Sequence, residues 1–261
     1  MTLTDLTDAN AVLAGDRRWA IVGGDCIGLM GALAGPVDHI ITDPPYDLQA
    51  HGRRTAGAKR RAGTSLPEIE DGWSFDALSD EHMHAAKAWA ARHVKRWSLF
   101  CCQVEQVNAW STKLPGKLRY MRTGIWHKPD CGPQVTGDRP RANYEAIVML
   151  HSHNRARWNG GGAGCVWTHN VHDGRERLHE TAKPILLALN LIELFTRPGE
   201  IVFDPWAGSA TFGVACVRLG RRYIGCELQG RYVEIARARL DAETRGLSYS
   251  DAARGQRGLF E

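Results

Sequence analysis

The chain has 261 residues, 43% of them hydrophobic, and a formal net charge of only +4, which supplies enough apolar material for one large domain or two small ones. It contains no apolar run long enough to span a bilayer, and its first ten residues are polar and acidic, so we expect a cytoplasmic protein. Seven scattered cysteines, with no secretory signal and no Cys-x-x-Cys pair, predict reduced thiols and no structural zinc site, and the histidines at 151–172 have no carboxylate at ligand spacing, so we expect no metal.

In the first third of the chain, short apolar runs predict buried strands at 19–22 and 39–42, and Asp25 is placed to cap a helix over 26–33. The second strand ends in a turn stiffened by two prolines, whose residues are Asp43, Pro44, Pro45 and Tyr46. It would hold a carboxylate, exposed carbonyls and an aromatic ring at the carboxyl end of a strand, where open α/β sheets bind ligands. These groups suit a planar heterocycle that carries an amino group, although a simple Pro-Pro turn would have the same sequence.

The segment 47–73 has no apolar period, as is typical of a functional or mobile loop. Five basic residues lie between positions 53 and 61, and no acidic residue lies between these positions. They are Arg53, Arg54, Lys59, Arg60 and Arg61. We interpret it as a phosphate-contacting loop, and the alternative is a solvated loop without a partner.

The middle of the chain predicts a helix from Ser79 or Asp80 to about residue 95, a strand at 98–102 and a helix at 104–113. Strands at 118–126 and 143–150 could then pair as antiparallel neighbours. The segment 151–178 again lacks a core pattern. Its Arg155, Arg157, Trp158 and Trp167, interleaved with glycines, are typical of a surface that contacts nucleic acid.

The carboxyl third is the most regular, with a core helix at 184–196, a strand at 201–203, a helix at 212–219, a strand at 223–226 and a helix at 232–240. The first strand leads into a turn of mostly small residues, which are Asp204, Pro205, Trp206, Ala207, Gly208, Ser209, Ala210 and Thr211. Glu227 ends the second strand, at roughly the 20-residue spacing of an acid that holds ribose hydroxyls. This pattern indicates a nucleotide-binding βαβ unit.

Together, the Asp43-Pro44-Pro45-Tyr46 turn and this βαβ unit resemble the amino-DNA methyltransferases that use S-adenosylmethionine, in the permuted group whose catalytic half comes first. Further stretches resemble that family in order, namely Gly24-Asp25-Cys26, Ile125-Trp126-His127-Lys128-Pro129, Asn143-Tyr144-Glu145 and His179-Glu180-Thr181-Ala182-Lys183-Pro184. The resemblance covers most of 19–240. It implies a Rossmann-like α/β fold with a mostly parallel sheet, an antiparallel hairpin and helices on both faces.

The resemblance also implies residue roles. Asp43, Pro44, Pro45 and Tyr46 would be catalytic, and the turn 204–211 would wrap the methionine end of the cofactor. Glu227 would hold the ribose, and the remaining cofactor contacts would be Asp25 and Cys26 near the adenine, Thr181 and Lys183 at the carboxylate, Asp43 and Leu228. The family pattern has glycine where Ala210 stands and phenylalanine where Trp206 stands. If that position requires a positive φ, Ala210 would cost on the order of 1 kcal/mol.

On this interpretation, 1–261 is one methyltransferase domain of a bacterial or phage-encoded protein. Its parts are a catalytic half at 19–150 with the basic loop 47–73, a target-recognition segment at 128–178, a cofactor half at 179–242 and a flexible tail at 243–261. The expected partner is double-stranded DNA, with no membrane. A homodimer is a further possibility, as is a sliding clamp bound by the tail peptide Gln256-Arg257-Gly258-Leu259-Phe260.

For the reaction, we expect methylation of adenine N6, because similar proteins with Asp at the first position of the tetrapeptide mostly act on adenine. Cytosine N4 is the alternative, since the same acceptors would serve it. Methylation of a protein glutamine is less favoured. The enzymes that this chemistry resembles have an Asn-Pro-Pro-Tyr motif after the cofactor half, whereas here the motif begins with Asp43 and comes first. A further alternative is a DNA-binding protein of the same fold that has lost catalysis because Ala210 replaces the family glycine.

Overall fold

The computed structural model describes residues 1–46, 78–134, 137–152, 155–171 and 183–253. Within them the strands are β1 Trp19–Gly23, β2 His39–Thr42, β3 Trp97–Cys102, β4 Arg119–His127, β5 Tyr144–His151, β6 Val166–Thr168, β7 Ile201–Asp204 and β8 Arg222–Glu227. The α-helices are α1 Leu3–Ala14, α2 Cys26–Ala32, α3 Asp80–His93, α4 Val107–Ser111, α5 Ile185–Phe195, α6 Thr211–Arg218, α7 Gly230–Thr244 and α8 Tyr249–Ala253.

The strands form an eight-stranded sheet in the order β1-β8-β7-β2-β3-β5-β4-β6. From β1 to β3 all neighbours are parallel, whereas β5 runs antiparallel to both β3 and β4. This confirms the predicted parallel sheet with an antiparallel pair. As a result, the carboxyl ends of the parallel strands and the beginning of β5 lie at one edge of the sheet, which we call the carboxyl edge; the opposite one is the amino edge.

Helices cover both faces of the sheet, as predicted, and chain order decides which face each covers. Side chains of α1, α2, α3 and α4 belong to one apolar cluster, and those of α5, α6 and α7 to the other. Successive residues of a strand point to opposite faces, so Ile40 joins the first cluster and Ile41 the second. The two halves of the chain therefore meet across the sheet.

Helix α1 was not predicted. It begins with a capping box, in which the Thr2 hydroxyl accepts from the Asp5 amide and the Asp5 carboxylate from the Thr2 amide. The Thr-x-x-Asp spacing was visible in the sequence, but the polar first turn concealed the buried Ala9 and Val12. Arg237 of α7 also donates to Asp5, at 2.5 Å, which attaches α1 to the rest of the chain.

At the other end, α7 continues to Thr244 and α8 follows, so the chain is helical within part of the segment expected to be a flexible tail. The clamp-like peptide 256–260 lies outside the described residues. In the part of the chain that the structure describes, no helix combines the length and hydropathy that crossing a membrane requires.

The turn between β7 and α6 adopts the left-handed backbone conformation at two positions. Gly208 has a φ of 52°, and Ala210, which precedes α6, has φ 59° and ψ 45°. A non-glycine residue pays about 1–2 kcal/mol for this conformation. The expected strain at Ala210 is therefore present, and its fully buried methyl group offsets part of it.

Two substitutions separate strain from burial in this turn. Gly208→Ala should lower the free energy of unfolding by about 1 kcal/mol, because an added Cβ would have no neighbour within 4 Å and would contribute strain alone. Ala210→Gly should change it by less, because relief of strain and loss of a buried methyl group, worth about 0.8 kcal/mol, nearly cancel. Urea denaturation measures both, and a Gly208→Ala protein as stable as wild type would contradict the strain argument.

Candidate active site

The predicted site residues come together at the carboxyl edge. Asp43 follows β2, Asp204 ends β7 and Glu227 ends β8, and all three strands run parallel. Because β5 is antiparallel, its second residue, Glu145, lies at the same edge, opposite Trp126 of β4. The topology therefore places four carboxylates along one edge of the sheet, where open α/β sheets bind their ligands.

Two of these carboxylates belong to a buried charge cluster, which we define as Asp43, Tyr46, Lys128, Glu145 and Lys183. The Lys183 ammonium donates to Asp43 at 2.5 Å and to the Tyr46 oxygen at 2.9 Å, and it lies 3.1 Å from Glu145. Lys128 donates to the other Glu145 oxygen at 2.8 Å. Two acids and two bases balance, and all four are mostly buried. Such a cluster is tolerated only because each buried charge has a partner.

The cluster pushes the pKa values of its two acids apart. Burial raises the pKa of Asp43, the Lys183 charge opposes this, and the Glu145 charge adds to it. Burial also raises the pKa of Glu145, but the charges of Lys183 and Lys128 outweigh it and lower that pKa to about 2. Glu145 is therefore the permanently ionised member, and Asp43 has the higher affinity for a proton.

Tyr46 is fixed by its hydroxyl group. The hydroxyl oxygen lies 2.6 Å from Glu145 and 3.2 Å from Asp43. Burial and these two carboxylates raise the pKa of Tyr46 well above its usual value, so the hydroxyl keeps its proton and donates it. Lys183 also lies 5.1 Å from the ring centroid. These contacts set the orientation of the Tyr46 ring beside Asp43.

Lys183, which was expected to face a cofactor carboxylate, pairs with acids of the catalytic half. It lies two residues before α5, and its ammonium contacts Asp43 and Glu145. The physical reason is that Asp43 and Glu145 need a compensating cation once they are buried. Thr181, the other residue expected at the carboxylate, lies outside the described residues.

At the ends of β8 and β7, the residues present fit a nucleoside. One Glu227 oxygen accepts from the Gly208 amide at 2.9 Å and the other from the Gln229 amide at 2.8 Å. These bonds orient the carboxylate, and each oxygen retains a lone pair for a hydroxyl group. Leu228, beside it, is 65% exposed and offers an apolar surface to a flat ring. The left-handed Gly208 leaves room against the turn.

The side chain of Asp204 has a different role from that expected, because it points into the protein. It accepts from the Thr42 hydroxyl at 2.6 Å, the Tyr223 hydroxyl at 3.0 Å and the Trp206 amide at 3.3 Å. Burial raises its pKa to about 7, although these three hydrogen bonds lower it. Asp204 thus stabilises the beginning of the turn 204–211.

Asp25 caps α2, as predicted, by accepting from the Gly28 amide at 3.1 Å. Its other oxygen lies 3.2 Å from His82 Nε2, and Asp25, Cys26 and His82 are close enough to hold a metal ion. Burial, followed by the Asp25 charge, raises the pKa of Cys26 to about 12. Asp25 therefore serves as a hydrogen-bonded cap just after β1.

Of the predicted basic residues, the structure describes Arg155 and Arg157. Arg53, Arg54, Lys59, Arg60 and Arg61 lie outside the described residues. The Arg157 carbonyl accepts from the Trp97 indole at 2.6 Å, at the beginning of β3 and hence at the amino edge. This six-residue strand places the Arg157 backbone roughly 15 Å from the carboxyl edge. Arg155 and Arg157 are both exposed.

Trp158 and Trp167 of the same segment were predicted to lie on a nucleic-acid-binding surface, but they pack against the core. Trp158 packs against Phe195 of α5 with centroids 5.0 Å apart, and Trp167 is buried against the same ring. The sequence showed no apolar period here because β6 is only three residues long. Trp167 therefore belongs to the core, and the partly buried Trp158 packs against it.

Lys128 and Glu145 occur in the family-like motifs, but the sequence did not reveal their roles. Tyr223 was not predicted as a site residue. Glu145 lies within the mostly buried strand β5, which was a signal for function, whereas Lys128 follows the largely exposed strand β4. Their pairing depends on the register of β4 and β5, in which Trp126 opposes Glu145, and no local pattern reveals it. In the sequence, Tyr223 resembles an ordinary residue of a buried strand.

Asp204 should make stability depend on pH. Between about pH 4 and pH 7 the folded protein keeps a proton that the unfolded chain has released, because burial raises the Asp204 pKa to about 7. The free energy of unfolding should therefore fall as pH rises, by up to about 1.4 kcal/mol per unit for this one proton. Asp204→Asn should flatten this dependence. Urea titrations at several pH values measure it, and an identical slope in the variant would refute the assignment.

The chain is similar in sequence or in fold to several methylases and methyltransferases. The putative methylase YubD of Escherichia coli (strain K12) is 28% identical over 245 residues, covering 88% of this chain and 94% of YubD. The M1.HpyAVI–SAM complex superposes with a TM-score of 0.65 at 21% identity, covering 85% of this chain and 99% of that one. PvuII DNA methyltransferase (cytosine-N4-specific) gives 0.61 at 12% identity, covering 94% and 96%.

These superpositions confirm the Rossmann-like fold, in which this mixed sheet is covered by helices on both faces. Residues 37–238 match the N6_N4_Mtase family, described as DNA methylase, and this range includes Asp43, the charge cluster and Glu227. The match covers most of the sequence and confirms the resemblance inferred from the motifs. The chain belongs to the N6_N4_Mtase family of DNA methylases.

Proposed function

We propose that the protein transfers a methyl group from S-adenosylmethionine to the N6 amino group of an adenine flipped out of duplex DNA. One observation carries this proposal: Asp43 and Tyr46 are held at the carboxyl end of β2 by Lys183, a residue of the half that would bind the cofactor. Residues of both halves of the chain therefore share one buried cluster of charges around Asp43.

The cofactor assignment rests on the fit of the residues at the carboxyl edge. Glu227 would hold ribose hydroxyls, Leu228 would pack on the adenine, and Asp25 and Cys26 would lie beside it. The turn 204–211 would accommodate the methionine end through its backbone. The similar protein M1.HpyAVI was solved as a complex with SAM, which supports the same cofactor here. When bound, this cofactor supplies a methyl group on a positively charged sulfur, which is already a strong electrophile.

Asp43 would act on the amino group of the base. That nitrogen is a poor nucleophile because its lone pair is delocalised into the ring. If the Asp43 carboxylate and the Pro44 carbonyl accept its two N–H bonds, the nitrogen becomes pyramidal and its lone pair is freed. Preorganised acceptors of this kind cost no reorganisation during the reaction, and orientation supplies much of the rate. Pro45, which follows, fixes the backbone of the turn.

The methylated nitrogen must then lose a proton, and the charge cluster favours one acceptor. Asp43, whose pKa is raised by burial, takes up a proton more readily than Glu145, whose pKa is lowered to about 2. Glu145 would stay ionised throughout and keep Tyr46 and both lysines in place. This division of roles follows the general rule that paired acids with separated pKa values act differently.

Tyr46 would stack on the flipped base. Extracting a base from the duplex costs a few kcal/mol, and stacking on an aromatic ring recovers roughly 1–3. Because the Tyr46 hydroxyl is held by Glu145, the ring would be oriented before the base arrives. The basic residues of the loop 47–73 would contact phosphates, which position the duplex without reading its sequence.

Adenine is favoured over cytosine by residue type. Asp43 occupies the first position of the tetrapeptide, where similar proteins that act on cytosine mostly have Ser, and a purine offers Tyr46 a larger face than a pyrimidine. Cytosine N4 is the second candidate, because the similarly folded PvuII enzyme is cytosine-N4-specific and a carboxylate would bind either amino group.

Transfer of labelled methyl from S-adenosylmethionine to duplex DNA tests this function. After digestion to nucleosides, mass spectrometry should show N6-methyladenine as the dominant product, because Asp43 and Tyr46 suit a purine amine. A dominant N4-methylcytosine peak would overturn the base assignment, and labelled protein without labelled DNA would overturn the substrate class.

Asp43→Ala is the matched control for this experiment. It should abolish transfer, while calorimetric cofactor binding stays within a few-fold of wild type, because the carboxylate faces the base. Equal loss of transfer and cofactor binding would show that Asp43 acts on the cofactor instead.

A further inference from the structure

Asp204 is a buried acid to which the mechanism above gives no part. Its carboxylate is only 1% exposed and connects three neighbouring strands. It ends β7, accepts from the hydroxyl of Thr42 at the end of β2 and accepts from the hydroxyl of Tyr223 in β8. A buried acid with several hydrogen-bond donors holds those groups in a fixed geometry.

The hydrogen bond between Asp204 and Thr42 leads towards Asp43, which would bind the methyl acceptor. Thr42 is fully buried, and its neighbour in the chain is Asp43. The Thr42–Asp204 hydrogen bond, at 2.6 Å, lies just beyond the last ladder pair of these strands, Ile40 with Phe203. It therefore continues the connection between β2 and β7 to the point where the backbone leaves for Asp43.

The same carboxylate also contacts the turn that would hold the methyl donor. Its Oδ1 atom accepts from the Trp206 amide at 3.3 Å, inside the turn 204–211. One oxygen atom thus joins the residue before Asp43 to the turn proposed to hold the cofactor. Movement of either strand end would be transmitted to the other through this atom.

Tyr223 orients the carboxylate from behind. The ring is fully buried, and two glycines leave space for it: a Cβ at Gly213 would come within 2.6 Å of the ring, and one at Gly225 within 2.9 Å. The Tyr223 hydroxyl reaches Asp204 Oδ2 at 3.0 Å. Each carboxylate oxygen consequently has its own hydroxyl donor, and rotation of the carboxylate is opposed.

We propose that Asp204 is a positioning residue for methyl transfer, which fixes the separation between the methyl acceptor at Asp43 and the methyl donor in the turn 204–211 by bonding to Thr42, Trp206 and Tyr223. This inference rests on the proposed function and deepens it. Transfer requires the reacting atoms in near-contact geometry, and displacement by about 1 Å can cost about a hundredfold in rate. The effect should therefore fall on the transfer step and not on cofactor binding.

Thr42→Val and Thr42→Ser form the decisive pair. Valine keeps the shape of threonine and removes the donor, whereas serine keeps the donor. In single-turnover transfer at saturating cofactor and DNA, Thr42→Val should be about 10- to 100-fold slower than wild type, and Thr42→Ser should stay within about threefold. The calorimetric dissociation constant of S-adenosylmethionine should stay within about threefold in both variants.

Tyr223→Phe tests the network independently, because the ring remains in its slot and only the hydroxyl is lost. It should slow transfer in the same way with little effect on cofactor affinity. Thr196→Val is the matched control. Thr196 is equally buried. Its hydroxyl donates to the Ile192 carbonyl and accepts from Arg221 at 2.9 Å, both outside the site, so its loss should leave the transfer rate unchanged.

Two outcomes would overturn the positioning role. The first is a Thr42→Val protein that transfers at the wild-type rate; the second is one that loses rate and cofactor affinity in equal proportion, since Asp204 would then only shape the cofactor pocket. A wild-type protein that binds no S-adenosylmethionine would instead defeat the proposed function itself, and the positioning role with it. The calorimetric measurement on wild type separates these cases.

Discussion

Burial of two acids at one edge of the sheet is the constraint on which the site depends. Asp43 and Glu145 can leave water only because Lys183 and Lys128 accompany them, and loss of any one partner would leave an uncompensated buried charge. Lys183 comes from the half of the chain that packs on the other face of the sheet. Electrostatic neutrality therefore requires the two halves to assemble before the site exists.

A second connection, independent of the first, joins the same halves below the surface. Thr42 and Asp204 hold the ends of β2 and β7 together, while Lys183 holds the residues just beyond them. The strained turn after β7 fits this arrangement, because Ala210 adopts a left-handed conformation that the surrounding structure must stabilise. Hydrogen bonds and ion pairs to these elements thus hold the described polar groups of the site, as preorganised catalysis requires.

Local patterns predicted much of this. The prolines after β2, the Asp25 cap, the apolar α5 and the βαβ spacing gave the fold and the acids at the strand ends, because each depends on a few neighbouring residues. The cation partners could not be derived this way: Lys183 is 140 residues from Asp43, and only the sheet topology unites them. Trp158 and Trp167 were misassigned for the same reason, since the long-range partner Phe195 decides their burial.

The central claim is that Lys183 and Asp43 stabilise each other across the two halves, and a double-mutant cycle measures this directly. Lys183→Met should lower the free energy of unfolding by roughly 3–5 kcal/mol, because it leaves a buried carboxylate unpaired. Adding Asp43→Asn to it should restore part of that loss, with a coupling energy above about 1 kcal/mol in urea denaturation. Additive effects within about 0.5 kcal/mol would contradict the account, because the two side chains would then contribute independently.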